Sequence, residues 1–320
     1  MSGAVTLCSD ELLVECQPDH GFHITRLLER RSGVNLLWRR QEGAITPCPT
    51  DLGPAGDESH RTFDVDLLEG GWFAMFPTAG KPGVLDGALT WMHGEVARLP
   101  WEVLRATASS ITCQVRTPSS GFDVRRTVSV DGGTVAVQTV AINSSGNNRS
   151  CTFGEHPCLS ADAFAGGEVI VDVAAGHVVE PQPRSAAPAL DPAGGLAWPV
   201  AHDIGGVVVD VSRIPAVPDG RHDHVALHPT VPQVVVTAPL LGGRLVQRGD
   251  SQLPFALLWR HFGAEGSYLG PARVLSVEQV SAPGIGVQDA IEGYAVTVVP
   301  PGCGVGYSFQ VSWQQEGSPT

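Results

Sequence analysis

The chain contains 320 residues, of which 42% are hydrophobic and 17% are charged, so it can bury one large core or two ordinary ones. Its formal net charge of -13 argues against general binding to nucleic acid or to an anionic membrane surface, because little positive charge is available to neutralise phosphates. The 38 glycines and 25 prolines predict many turns and short elements.

The seven cysteines include no Cys-x-x-Cys pair, so neither a zinc knuckle nor a thioredoxin-type redox motif is indicated. We expect buried thiols in a reducing cytosol. The opening MSGAVTLCSDELLVECQ lacks the basic and apolar regions of a signal peptide, and no apolar run approaches the roughly 20 residues that span a bilayer. We therefore expect a cytoplasmic protein.

Short strand-like runs dominate from the N-terminus onward. DELLVECQ and FHITRLLERR fit either a helix or a strand, whereas 127–148 contains two alternating runs around an Asp-Gly-Gly turn, which is typical of a β-hairpin. Similar runs continue to the C-terminus without a sustained 3.6-residue period. The prediction is an all-β protein, a single large antiparallel β-sandwich over residues 1–320, in which the Pro- and Gly-rich segment 181–206 forms a long loop.

Tryptophans are candidates for the apolar side of a sugar site, because the C–H faces of a sugar ring are apolar. The candidates are Trp72, Trp91, Trp101 and Trp259, although buried tryptophans belong more often to a core. His93 lies between two of them in WMHGEVARLPW, where a turn histidine packed beside indoles is the simpler interpretation.

His156 lies between a carboxylate and a proline in FGEHPCLS, which we interpret as a connecting segment. From this pattern alone it is a proton donor, a metal ligand or an ordinary loop residue. Glu278 lies in the apolar, strand-like run VLSVEQV, so it either faces outward or belongs to a site at a strand end. A partly buried carboxylate in a cleft makes a good general base, because desolvation raises its pKa toward neutrality.

Two further patterns are weaker indications of a ligand. In RHDHVALHP, His222 and His224 share one face of a strand while Asp223 points to the other. Zinc sites usually draw ligands from several elements, so we expect a histidine cluster without a metal. The glycine-rich stretches 283–289 and 302–306 lack a Walker lysine and, in our interpretation, a following helix, so we expect turns there and no phosphate-binding loop.

In this order the segments resemble the aldose 1-epimerase (galactose mutarotase-like) family, in its divergent bacterial branch, over nearly the whole chain. GFHITRLLERRSGVNLLW resembles the family's first hairpin, GGWFAMFPTAG its early substrate-contacting loop, and VVPPGCGVGYSFQVSW its closing turn and strand. MHGEV resembles the motif with a substrate-binding histidine, and GEHPCLS the motif with the catalytic histidine. HDHVAL resembles the segment with a sugar-binding aspartate, and VLSVEQVSAPG the strand with the catalytic glutamate.

The resemblance implies a galactose mutarotase-like sandwich that interconverts the α and β anomers of an aldose without a metal or other cofactor. Glu278 would be the base that removes the proton of O1, and His156 the acid that protonates O5 from the opposite side of the C1–O5 bond. The substrate-binding residues that it implies are His93, Asp223, Trp259, Trp72 and Lys81.

The sequence departs from the family pattern in two places. The usual arginine of the early loop is missing, with Lys81 as the nearby cation, and Asn-His-x-Tyr-Phe is replaced by Glu-His-Pro-Cys-Leu. Three alternatives stay open: a non-catalytic carbohydrate-binding or regulatory protein of the same fold, an epimerase for a phosphorylated sugar, and a sandwich whose cleft binds another compound. We expect a small-molecule sugar as partner, and the sequence leaves a homodimer open.

Overall fold

A computed structural model describes residues 3–41, 43–179, 188–264 and 267–315. Up to residue 160, the strands in chain order are β1 (Val5–Cys8), β2 (Leu12–Gln17), β3 (His23–Glu29), β4 (Val34–Asn35), β5 (Trp72–Met75), β6 (Val84–Leu85), β7 (Ala88–Leu89), β8 (Glu102–Ala106), β9 (Ser110–Arg116), β10 (Phe122–Asp131), β11 (Thr134–Asn143), β12 (Arg149–Cys151) and β13 (Gly154–Ser160). The later strands are β14 (Val169–Ile170), β15 (Val173–Val178), β16 (Leu196–Ala197), β17 (Val200–His202), β18 (Val208–Asp210), β19 (His222–Pro229), β20 (Gln233–Ala238), β21 (Gly243–Gly249), β22 (Phe255–Phe262), β23 (Arg273–Val280), β24 (Thr297–Val299) and β25 (Gly304–Gln315).

Helices are short and few in number among the described residues. They are α1 (Asp57–Thr62), which continues into a π-helical turn (Phe63–Leu67), α2 (Val287–Glu292), and 3-10 turns at Val96–Arg98, Pro192–Gly194 and Pro239–Leu241. In the described part of the chain no helix is long and apolar enough to cross a bilayer.

The larger sheets are antiparallel throughout. The first has the strand order β1-β2-β3-β5-β13-β23-β22-β19-β15, with β4 beside β3, and the second has the order β14-β20-β21-β25-β11-β10-β9-β8. A three-stranded sheet has the order β16-β17-β18, and two small sheets pair β12 with β24 and β6 with β7. The predicted hairpin is β10–β11, whose last pair is Asp131 opposite Thr134.

The inner faces of these two sheets pack against each other and form the main core. Along β10 and β11 buried side chains alternate with more exposed ones, as expected for strands with one face on the core. Aromatic pairs connect the sheets: the rings of Trp72 and Phe309 lie 5.4 Å apart, and those of Phe76 and Phe122 lie 4.9 Å apart. The prediction of an all-β antiparallel sandwich is confirmed.

A buried ion pair also crosses the sandwich. Arg126 on β10 donates two hydrogen bonds to Glu155 on β13, one of them 2.9 Å long from Nη2 to Oε2. Trp72 Nε1 and the Tyr307 hydroxyl donate to the same carboxylate at 2.5 and 2.9 Å. Because side chains alternate along a strand, Glu155 in the core directs the next residue, His156, to the outer face.

The outer face of the first sheet is covered as well. The chain between β4 and β5, which includes α1, packs Phe63 and Leu68 against Phe73, Met75 and Trp259 of the sheet. Every residue of β23 is therefore buried, on both faces of the sheet. A polar side chain on this outer face lies between a strand and its cover, away from bulk water.

Several sequence interpretations of local structure are wrong. FGEHPCLS is the central strand β13 and not a connecting segment. The strand tolerates Pro157 because this residue lies where the ladder of hydrogen bonds to β23 is interrupted. DELLVECQ and FHITRLLERR, for which a helix and a strand were both open, are strands. The expectation that no helix follows the glycines at 284 and 286 is wrong, because α2 begins at Val287. Six-residue helices of this kind are too short to show a helical period. In the stretch 181–206, residues 181–187 lie outside the described residues, and the rest contains β16 and β17.

Candidate active site

A cleft of about 470 Å³ opens on the outer face of the first sheet, within the size range of small-molecule sites. Strands β13, β19, β22 and β23 contribute its floor, and α1 with the following π-helical turn contributes one wall. Lys81 and His93, from the turns on either side of the β6–β7 hairpin, also line the cleft.

His156 and Glu278 lie in contact at the floor of this cleft. The β13–β23 register pairs Glu155 with Gln279 and Cys158 with Ser276, which places His156 directly across from Glu278. The distance from His156 Nε2 to Glu278 Oε1 is 3.2 Å, and the two residues are only 3% and 2% exposed. The structure thus brings together the two residues that the sequence predicted as catalytic, on one side of the cleft.

The imidazole of His156 is fixed from every direction. Phe73 stacks on it with ring centroids 4.6 Å apart and planes at 19°, and His93 and Trp259 meet it edge-on at 4.9 and 5.8 Å. Its Nδ1 atom lies 3.3 Å from Ser276 Oγ and 3.4 Å from the sulfur of Cys158 on its own strand. These contacts leave the ring little freedom to rotate.

Burial reverses the charge states that we expected for the pair. Desolvation lowers the pKa of His156 from 6.5 to about 3 and raises the pKa of Glu278 from 4.5 to about 8. At neutral pH the imidazole is therefore neutral and the carboxyl group holds a proton. The Oε2 atom of Glu278 is buried and has no hydrogen-bond partner among the described residues.

His93 stands on a constrained turn beside this pair. Both His93 and Gly94 have left-handed backbone conformations, with φ of 58° and 77°, and a Cβ on Gly94 would lie 2.2 Å from the carbonyl oxygen of Phe76. His93 Nδ1 is 3.1 Å from the sulfur of Met75, which has no proton to donate, so this contact is a hydrogen bond when Nδ1 carries the hydrogen. In that tautomer the Nε2 lone pair is available, and burial lowers the pKa of this imidazole well below 6.5.

Trp259 and two further histidines form an adjoining wall. Trp259 Nε1 donates a hydrogen bond of 3.0 Å to His222 Nε2, and His224 stacks on the indole with planes at 13°. Burial lowers the pKa of His222 to about 3 and that of His224 well below 6.5, so both are neutral at pH 7. No group of three or more ligand side chains in the described part of the chain is arranged to hold a metal ion.

Two of the predicted substrate-binding residues are not brought to the cleft. Asp223 points to the opposite face of β19, where its carboxylate accepts hydrogen bonds of 2.7 and 2.8 Å from Arg260. Trp72 points into the core and donates to Glu155. Strand alternation explains both corrections, since each residue directly adjoins in sequence a residue whose side chain lies on the outer face, where the cleft opens. The remaining predicted residues, His93, Lys81 and Trp259, line the cleft.

The sequence reasoning missed the wall formed by α1 and the residues near 268. Its polar members are Asp57, His60, Arg61, Asp64 and Tyr268. His60 Nε2 lies 3.0 Å from an Asp64 oxygen at an i, i+4 spacing, and this hydrogen bond raises the pKa of His60. The spacing of charges in DESHRTFDVD is the one signal that would have indicated this helix.

No protein-family model and no curated protein sequence matches this chain. Solved structures match it over nearly its full length. It is similar to a galactose mutarotase related enzyme from Lactobacillus acidophilus, with a TM-score of 0.63, 13% identity, and coverage of 99% of this chain and 100% of that one. The chain has the galactose mutarotase-like fold. A galactose mutarotase-like protein from Lactobacillus casei gives a TM-score of 0.61 at 14% identity, over 98% of this chain and 100% of that one.

A third solved structure, from an animal, has the same fold. The GalM/aldose epimerase homologue from C. elegans gives a TM-score of 0.57 at 12% identity, over 98% of this chain and 99% of that one. Likenesses at these identities establish the fold alone. The chemistry has to be argued from the residues in the cleft.

Proposed function

We propose that this chain is an aldose 1-epimerase-type isomerase that interconverts the anomers of an uncharged aldose in the cleft. The observation that carries the proposal is the 3.2 Å contact between the buried carboxyl group of Glu278 and the buried imidazole of His156. A buried carboxyl group that lies in a cleft and has its pKa shifted toward neutrality is a candidate acid–base group. The names of the structural neighbours support an isomerase of this kind.

Glu278 supplies the proton that opens the sugar ring. In the protonated form that burial favours, the carboxyl group donates the proton on Oε2 to the ring oxygen O5. The C1–O5 bond then breaks, its electron pair stays on O5, and a lone pair of O1 forms the C1=O1 double bond. The resulting carboxylate keeps its contact with the imidazole of His156, which stabilises it.

His93 accepts the other proton. Once the ring has opened, the proton on O1 belongs to a protonated aldehyde, which is a strong acid, so even a weakly basic imidazole can remove it. The Nε2 lone pair of His93 is the acceptor in this proposal, because its Nδ1 atom is occupied by the contact to Met75. After rotation at C1, reclosure from the other face returns both protons to their donors, and no cofactor is consumed.

These roles differ from the sequence-based expectation, in which Glu278 was the base and His156 the acid. Neutral His156 has a pKa of about 3 and is not a source of protons at pH 7. Positioned acid–base groups of this kind typically accelerate a reaction by about 10²–10⁴-fold. That factor suits mutarotation, which already proceeds slowly in water.

The substrate that fits best carries no charge. Among the described lining residues, the cations Arg61 and Lys81 are offset by the anions Asp57 and Asp64. The buried imidazoles and Glu278 add no net charge at neutral pH, and His60, whose pKa is raised, is already paired with Asp64. A phosphorylated sugar would need a larger excess of unpaired positive charge than this lining supplies. Trp259 offers an aromatic face for the apolar side of the sugar ring.

The test is anomer exchange measured by NMR magnetisation transfer over a panel of free aldoses and their 6-phosphates. We expect the wild-type protein to accelerate exchange of at least one free aldose, and Glu278→Gln and His93→Gln to lose at least a factor of about 100. His228→Gln, on the exposed part of β19, is the matched control and is expected to keep the activity.

Two outcomes would contradict the proposal. If no sugar on the panel exchanges faster than in buffer while free aldoses raise the melting temperature, the protein is a non-catalytic carbohydrate-binding protein. If the 6-phosphates are the ones that exchange, the argument from the charges of the cleft is wrong.

A further inference from the structure

The far side of the His156 ring is as closely partnered as the side that meets Glu278. Ser276 and Cys158 are cross-strand partners on β23 and β13, and both are fully buried. Ser276 Oγ lies 3.3 Å and Cys158 Sγ 3.4 Å from the same atom, Nδ1 of His156. Turning the ring over would replace Nδ1 and Nε2 with carbon atoms and lose the contacts on both sides.

Counting hydrogens indicates which nitrogen carries the proton. A hydroxyl and a thiol each have one hydrogen to donate, but an unprotonated Nδ1 has a single lone pair, which goes to the stronger donor, the Ser276 hydroxyl. Burial raises the pKa of the Cys158 thiol well above 9, so the thiol beside it stays protonated. Within the described residues, Nδ1 of His156 is the one side-chain hydrogen-bond partner of either group. If Nδ1 carried a hydrogen, the Ser276 hydroxyl would keep a buried hydrogen without an acceptor, which is costly.

We propose that Ser276 is a positioning residue that holds His156 as its Nε2–H tautomer and thereby directs Glu278 to use Oε2. Nε2–H donates to Glu278 Oε1 across 3.2 Å, so Oε1 is occupied. Oε2, which has no partner among the described residues, is the atom left to exchange a proton with a ligand. The tautomer is a property of the folded protein, whereas the use of Oε2 in catalysis rests on the proposed function.

The proton balance of the cycle follows from this assignment. When the Oε2–H bond breaks and the proton goes to O5 of the sugar, the electron pair of that bond stays on the carboxylate. The hydrogen bond from Nε2–H to Oε1 then stabilises the new negative charge. His156 neither loses nor gains a proton, so it acts on the reaction through Glu278.

The direct test is ¹⁵N NMR of the histidine side chains in the full-length protein, with the signals of His156 assigned by their loss in His156→Gln. We expect a protonated Nε2 and an unprotonated Nδ1 at neutral pH. In Ser276→Ala we expect a measurable population of the Nδ1–H form and a fall in kcat of roughly tenfold with KM unchanged, the size of one lost hydrogen bond. Ser276→Thr keeps a hydroxyl and is expected to restore both the tautomer and the rate.

The NMR readout separates this inference from the proposed function. A wild-type spectrum with Nδ1–H or with a doubly protonated ring overturns the inference, and so does a Ser276→Ala spectrum identical to that of the wild type. The expected spectra in a protein that accelerates exchange of no sugar would support the inference and refute the proposed function. Cys158→Ala is expected to change the spectrum less than Ser276→Ala, because a thiol is the weaker donor.

Discussion

The buried carboxyl group of Glu278 should make the stability of this protein depend strongly on pH. Burial raises its pKa from 4.5 to about 8, so the folded protein binds this proton more tightly than the unfolded chain does. The corresponding contribution to stability is fully present below pH 4.5 and is lost as the pH rises through about 8. Glu278→Gln removes the ionisation while preserving the shape of the side chain.

The size of the effect follows from the shift. At about 1.4 kcal/mol for each pKa unit, the change from 4.5 to about 8 corresponds to about 5 kcal/mol. That is a large part of the 5–15 kcal/mol that typically separates folded from unfolded protein. Glutamine keeps an oxygen that accepts a hydrogen bond from His156. The variant should therefore gain about 5 kcal/mol relative to the wild type as the pH rises across this range.

The measurement is urea-induced unfolding, followed by tryptophan fluorescence, of both proteins at a series of pH values from about 4 to about 9. The pKa of His156 is lowered to about 3, so its contribution to stability grows as the pH rises from 3 to 6.5. This histidine is present in both proteins, and the difference between the two curves isolates the carboxyl group. Curves that stay parallel over the whole range would refute the reasoning, because the carboxyl group would then titrate alike in the folded and unfolded states.

Three further predictions concern activity and the corrected residues. The kcat of the proposed epimerase should fall as the pH rises through about 8, because Glu278 acts in its protonated form; a rate that increases there would contradict this role. Trp259→Leu should raise KM roughly tenfold, since it removes the aromatic face and its hydrogen bond to His222, and exchange kinetics at varied sugar concentration would show this. Asp223→Ala should lower the free energy of unfolding in urea by about 3–5 kcal/mol, because it leaves Arg260 buried without its carboxylate partner. The KM should not change. A changed KM with normal stability would show that Asp223 contacts the substrate.

The fold was predictable because its strands and turns follow from local sequence patterns. Period-two runs bounded by glycine, proline and asparagine predict strands, and the Asp-Gly-Gly turn between Phe122 and Asn143 predicts the β10–β11 hairpin. The same reasoning failed for β13, where Gly154 and Pro157 resemble turn residues. Pro157 is tolerated in a central strand because it lies where the ladder to β23 is interrupted, and that depends on a strand more than a hundred residues away.

The candidate site was predictable only in part, for a related physical reason. Alternation separates His222 and His224 from Asp223, but it does not say which set faces the cleft. That choice depends on Arg260, which is opposite Asp223 in the register with β22 and pairs with it on the inner face. The charge states depend on burial beneath the helix α1 and the turn that follows; the charge spacing could indicate this helix, but not that it covers the outer face of the sheet.

Two carboxyl groups of the first sheet show how the surroundings separate structure from chemistry. Glu155 meets the guanidinium of Arg126 and two further donors, so its charge is fully compensated and it links the two sheets. Glu278, on the neighbouring strand and the opposite face, meets the neutral imidazole of His156 as its one titratable hydrogen-bond partner among the described residues. Burial therefore favours the protonated form, and within the same residues one oxygen is left without a partner. The carboxyl group that lacks compensation is thus the one equipped to exchange a proton.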